Sequence, residues 1–220
     1  MTKRRDRKPG DELDEETRQQ LQAIAEDAIR RNHALNFWQR LTGHTWTILR
    51  HKFWVFRYCV TAGIPWQGFM HDWSKFSRLE FWEGVRYYCG RYSPILSCKV
   101  QNHGFSMAWI HHHGRNLHHY EAWHDDFDRG VHPIDMPYPY AVEMLCDFLG
   151  AGHAYLRGAF TYQKEYDWWQ AKRARGVAMT EPMKDFVEGT LRRIAAENRL
   201  DALRPAETKK WYEQCVGKIG

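Results

Sequence analysis

Between residues 35 and 62, Leu41, His44, Ile48, His51, Val55 and Tyr58 follow one another at spacings of three and four. An α-helix puts such a series on one face, whereas a strand would repeat on every second residue. The spacing predicts a helix over 35–62 with two histidines, His44 and His51, turned toward its core side. Gly63 and Pro65 end it.

The same period recurs elsewhere. In "DEETRQQLQAIAEDAIRR", Leu21, Ile24, Ala25, Ala28 and Ile29 form a stripe with acidic residues crowding the first turn. "SRLE" at 77–80 has the capping-box form, which predicts a helix from Ser77 to about Cys89 with Glu80 reaching back. Gly, Ser, Pro and Asn at 90–104 read as a loop. "FSMAWIHHHGRNLHHYEAW" has helical spacing interrupted by Gly114. The three prolines of "DRGVHPIDMPYPY" require extended or turning chain, and helical spacing returns from about Tyr138. Thr180 with Pro182 marks a further helix start, with Phe186, Leu191, Ile194 and Ala195 on its buried face. No alternating strands and no internal repeat are present, so the expected fold is all-α, a single-domain helical bundle. Its expected parts are a tail over 1–13, a surface helix over 14–34, a core over 35–160 and amphipathic helices over 161–220 packing on that core.

Composition narrows the function classes. With 32 Lys and Arg against 27 Asp and Glu, the net charge of +5 is modest, and much of it sits in "MTKRRDRK". That run reads as a solvated tail, and "KRAR" at 172–175 allows only weak nucleic-acid contact. Five cysteines without C-x-x-C spacing suit a reduced, cytoplasmic setting. Neither a signal peptide nor a membrane span is expected, since the most apolar stretch, 53–70, contains Arg57 and Pro65. The 13 histidines, set among 11 residues each of Trp, Tyr and Phe, are the unusual feature, because imidazole is a neutral nitrogen ligand near pH 7.

The chemistry-bearing segment is "GFMHDWSKF". Charge among aromatics is costly to desolvate unless something compensates it, and a metal ion would compensate His71 and Asp72. In chain order His51 precedes this pair, a histidine cluster follows over 111–119, and Asp147 comes last. Imidazoles and carboxylates in a helical fold can converge to bind zinc, iron, manganese or nickel. Other readings stand beside this one. His51 or His44 can be a core histidine satisfied by a carbonyl, Asp72 can cap a turn, and Lys75 can snorkel to water. If 111–123 is one helix, His112, Asn116, His119 and Trp123 share a stripe and His111, Arg115 and His118 the next. Glu143 and Asp147, one helical turn apart, repel by about 0.2–0.5 kcal/mol unless a cation such as a metal or Arg115 lies near.

The order His51, His71-Asp72, histidine cluster, Asp147 resembles the HD-domain superfamily, helical metal-dependent proteins. "HKFWVFRYCVTAGIPWQGFMHDWSKFSRLEF", "FSMAWIHHHGRNLHHYEAW" and "MPYPYAVEMLCDFLGAGHA" are also similar, over about residues 45–155, to an uncharacterised family of phage and bacterial proteins. The resemblance implies His51, His71, Asp72, His112, His118 and Asp147 as ligands of a divalent metal, one or two ions of Mn, Fe, Ni, Zn or Mg. It also implies Lys75 as a substrate contact and matches Asn116 and His119; on the hydrolase reading Asp72, Lys75 and Arg115 are the candidate catalytic groups, and Lys75, Glu80, Asn116, His119, Trp123 and Glu143 the candidate substrate-binding or supporting groups. Three function classes follow: a phosphohydrolase acting on a nucleotide or other small phosphate ester in the cytoplasm, a diiron oxygenase cleaving a C–C or C–P bond, and a helical binding protein without turnover.

Overall fold

The computed structural model describes residues 15–125 and 132–217, so the segment 1–13 lies outside the described residues. In chain order the helices are α1 (Glu15–His33), α2 (Phe37–Thr61), α3 (Pro65–Met70), α4 (Arg78–Tyr87), α5 (Pro94–Gln101), α6 (Met107–His113), α7 (Tyr138–Leu156), α8 (Tyr162–Ala174), α9 (Glu181–Glu197) and α10 (Pro205–Cys215). A two-residue strand pair, β1 (His124–Asp125) with antiparallel β2 (His132–Pro133), is the one sheet among the described residues. The fold is all-α, as the periodicity predicts. None of the described helices is long and apolar enough to cross a membrane, and all five cysteines are free thiols.

The chain forms two compact units. Among the described residues, the first takes in those up to Trp46 together with Ser74–His112, and the second takes in Thr47–Trp73 and those from His113 on.

In the first unit, the Asn32 side chain at the end of α1 donates to Arg86 O (2.9 Å) and Tyr88 O (2.8 Å), tying α1 to the end of α4. Ser77 caps α4 by accepting from Glu80 N, but the Glu80 carboxylate does not complete the predicted box. It bonds Ser74, His111 and His112 instead. The expected loop at 90–104 is a helix over Pro94–Gln101, because Ser93 caps its N-terminus and Pro94 takes the first turn, where a missing N–H is harmless. Helix α6 stops at His113, so the predicted stripe from His112 to Trp123 does not form. Gly114 ends the helix, and His118 and His119 lie in the turns that follow.

The second unit holds a large apolar core in which Val55, Tyr58 and Cys59 of α2 meet Leu145, Cys146 and Leu149 of α7, with Trp169, Phe186 and Ile194 from α8 and α9. One contact positions the site. A Cβ on Gly150 would stand 2.4 Å from Val55 Cγ2 and 3.0 Å from Val55 N, so α2 and α7 touch through a bare backbone. His51 lies one turn before Val55, and Asp147 about one turn before Gly150.

Two outcomes follow. Gly150→Ala gains about 1 kcal/mol in helix propensity, but overpacking against a backbone atom costs about 1–3 kcal/mol. A net loss in urea unfolding, together with weaker metal retention, is expected. His44, in the first unit, is pulled to a pKa of about 4 by burial and by the Lys75 charge. Between pH 6.5 and 4 the unfolded chain therefore binds the proton and the folded chain does not. Stability from this group is present above that window and falls as pH is lowered through it, by about 2 kcal/mol between pH 7 and 5. Urea midpoints of His44→Gln should be correspondingly less sensitive over that interval.

Candidate metal centre

Four segments of the second unit deliver ligand groups to one place. Helix α2 supplies His51, the turn after α3 supplies His71 and Asp72, the chain after α6 supplies His118 and His119, and α7 supplies Glu143 and Asp147. The turn at 71–72 carries the device that makes adjacent residues converge. Asp72 adopts φ of 54°, a left-handed conformation that aspartate tolerates better than most residues. His71 Nε2 and Asp72 Oδ2 come to 3.2 Å of each other. Lys52, the neighbour of His51, donates to the carbonyls of Phe69 and His71 and lies 4.9 Å from the centre of the Trp73 ring, clamping this turn to α2.

His51 Nε2 lies 3.2 Å from His71 Nε2, 3.3 Å from Asp72 Oδ2 and 3.1 Å from Asp147 Oδ1. His71 Nε2 is 3.4 Å from the same Asp147 oxygen. Atoms bound about 2.0–2.1 Å from one ion stand about 3–3.4 Å from one another, so these four residues have the spacing of a ligand set. On the other side, Asp72 Oδ1 lies 3.4 Å from His118 Nε2, and Asp72, His118 and His119 offer atoms within 4.8 Å of each other. Asp72 thus turns one oxygen to each group. His51, His71, Asp72 and His118 are all buried, and α7 presents Asp147 with little exposure.

Glu143 organises the histidines from behind. Its Oε1 lies 3.0 Å from His71 Nδ1 and 3.2 Å from His118 Nδ1, and Gln67 Nε2 donates to its Oε2 at 3.2 Å. The carboxylate therefore accepts a hydrogen bond from the Nδ1–H of both rings and turns both Nε2 atoms toward Asp72. His71, His118 and Glu143 are close enough to be a ligand set themselves, but each histidine has its Nδ1 committed to Glu143, and the arrangement is that of an outer carboxylate fixing metal-binding imidazoles. The groups beside Glu143 and Asp147 are thus imidazoles, while Arg115 is exposed.

Electrostatics agree with the distances. Burial pushes the Glu143 carboxyl up, and His118 and His71 more than reverse this, holding it at about 2. Burial likewise opposes ionisation of Asp147, yet His51 and His71 keep it well below the usual range. At His71, burial disfavours the charge, while Asp72, Asp147 and Glu143 raise its affinity for a proton well above normal.

His112 belongs to the first unit. There its Nδ1 lies 2.8 Å from Glu80 Oε2, with His111 Nδ1 2.6 Å from the other oxygen and Ser74 Oγ 3.1 Å away. Burial raises the Glu80 carboxyl and these partners lower it further, to a net depression. Glu80 thus binds the Nδ1 atoms of His111 and His112 within the first unit, as Glu143 binds those of His71 and His118 within the second. His44 is the core histidine of the pair considered, packed against Phe81 and Tyr88. Lys75 sits in the 3₁₀ turn Trp73–Phe76, Asn116 is half-buried in the turn after α6, and the Trp123 indole donates to Leu117 O at 2.7 Å. Sequence reasoning missed Lys52 and Gln67. Lys52 carried a signal in its place beside His51, while Gln67 carried none.

The family of unknown function DUF5662 matches residues 40–193, which is more than half of the chain. The chain belongs to the DUF5662 family. No curated protein and no solved structure matches it. The DUF5662 match covers every ligand-bearing segment and extends past the 45–155 stretch of the expected resemblance to include α8.

Removing the supporting carboxylate should reveal its role. Glu143→Gln is expected to keep the fold and lower metal affinity about 10–100-fold, measured by competition with a chromogenic chelator.

Proposed function

We propose that this protein is a metal-dependent phosphohydrolase related to the HD superfamily, acting on a nucleotide or another small phosphate ester through two ions. The observation that carries the reading is Asp72, whose two oxygens face separate histidine groups, Oδ2 toward His51 and His71 and Oδ1 toward His118. Divalent ions held there would bring the pKa of water close to neutrality and draw charge from a phosphoryl oxygen. The protein's own residues do the rest. Glu143 fixes the Nδ1 protons of His71 and His118, so their Nε2 lone pairs stay available, and burial keeps bulk water from competing for the ligands. Arg115 in neutralising phosphoryl charge, and Asn116, His119 and Trp123 in support, belong to the same proposal.

A diiron oxygenase is the second reading. It is favoured by the near-complete burial of His51, His71, Asp72 and His118, which suits chemistry that must exclude water, and the same ligand types bind iron.

Elemental analysis of untagged protein purified without added metal separates these readings. Two irons per chain, with oxygen uptake in an Fe(II) assay, would displace the hydrolase. Zinc, manganese, nickel or magnesium, with phosphate release in a nucleotide and phosphomonoester screen, is the expected result. His71→Ala combined with Asp72→Ala should remove most bound metal while leaving the far-ultraviolet circular dichroism nearly unchanged. Full metal content in that double variant would rule the site out.

A further inference from the structure

Helix α8 brings a second kind of group toward the site. The Lys172 ammonium lies 4.9 Å from the ring centre of Tyr120, 5.3 Å from Phe148 and 5.0 Å from Trp168. Two walls of this cage are chain neighbours of the metal-site residues, since Tyr120 follows His119 and Phe148 follows Asp147. The third, Trp168, is one turn back on α8 and packs edge-on to Phe148 with centroids 5.2 Å apart, so the walls support each other.

The cage lacks an anion. Among the described residues no carboxylate stands within ion-pair distance of Lys172. The next residue shows what a purely structural cation does in this helix: Arg173 binds Glu188 at 2.6 Å, Asp185 at 2.8 Å and Glu181 at 3.1 Å. Ring faces attract an ammonium by about 0.5–2 kcal/mol, which holds its position without an ion pair. Burial lowers the Lys172 pKa, while Glu121, Asp147 and Glu165 favour its charged form from a distance. A positioned, partly desolvated ammonium beside the neighbours of two metal-site residues is suited to an anion that arrives with the substrate.

We propose that Lys172 is the anion-binding residue of this centre, holding a phosphate-type oxyanion of the substrate, with Tyr120, Phe148 and Trp168 fixing its ammonium. This rests on the reading of the cluster as a metal-dependent centre, and it adds a residue from α8 that the "KRAR" run had concealed.

Inorganic phosphate titrated calorimetrically into full-length protein as purified, for wild type, Lys172→Met and Lys172→Arg, tests it, with metal content and melting temperature measured on each. The expected result is binding by wild type, at least about tenfold weaker binding by K172M with metal content and melting unchanged, and substantial recovery in K172R. If K172M retains metal and binds phosphate as tightly as wild type, the proposal is overturned while the metal centre stands. If wild type holds no metal but loses phosphate affinity in K172M, Lys172 stands as an anion site and the metal reading fails. Acetate bound in place of phosphate, with the same loss in K172M, would support the anion site and overturn the phosphate assignment. If wild type binds neither anion, the proposal is overturned.

Discussion

The architecture of the second unit depends on how closely α2 approaches α7. Gly150 lets Val55 rest on a bare stretch of α7, and at that separation His51 Nε2 reaches Asp147 at 3.1 Å. A side chain at 150 would hold the helices apart, and His51 would then face a carboxylate through a gap too wide for a shared ion. Lys52 extends the same control along α2, since its bonds to the carbonyls of Phe69 and His71 hold the turn carrying the His71-Asp72 pair. Packing and chemistry are one constraint here: the apolar contact at Val55 sets the spacing of the polar cluster one turn away.

Burying Asp72, Glu143 and Asp147 together is unfavourable unless positive charge or a metal accompanies them. The cluster meets this in two layers. Imidazole nitrogens surround the carboxylates, and Glu143, backed by Gln67, determines which nitrogen of His71 and of His118 turns inward. The device recurs in the first unit, where Glu80 bonds Nδ1 of both His111 and His112, although the sequence around Glu80 shares no motif with that around Glu143.

What the sequence revealed depended on whether the signal was periodic. The stripe from Leu41 to Tyr58 carried both the helix and the inward direction of His51, and Ile48, His51, Val55 and Tyr58 are all buried. His71, Asp72, His118 and Asp147 were legible as chemistry because imidazole and carboxylate in an aromatic setting require compensation. Positions governed by local turns were harder. The composition of 90–104 reads as a loop, yet Ser93-Pro94 is a helix start, since proline ends a helix from inside but begins one from its first turn. Extending α6 through Gly114 gave the wrong neighbours for His112, because helical stripes have no meaning beyond the last helical residue. Glu80 was read as a cap from its position three residues after Ser77, but its carboxylate serves two histidines that the sequence places 31 and 32 residues away.

The contrast between Lys172 and Arg173 shows why charge runs resist reading from sequence. Adjacent residues on a helix point about 100° apart, so a run such as "KRAR" distributes its cations over different environments. Arg173 turns to the acidic residues of α9 and is consumed by Glu181, Asp185 and Glu188. Lys172 lies instead against the rings of Tyr120, Phe148 and Trp168. Composition counts both as basic surface. Geometry makes the first a structural tie between α8 and α9 and leaves the second against ring faces, with Glu121, Asp147 and Glu165 acting on it only from a distance.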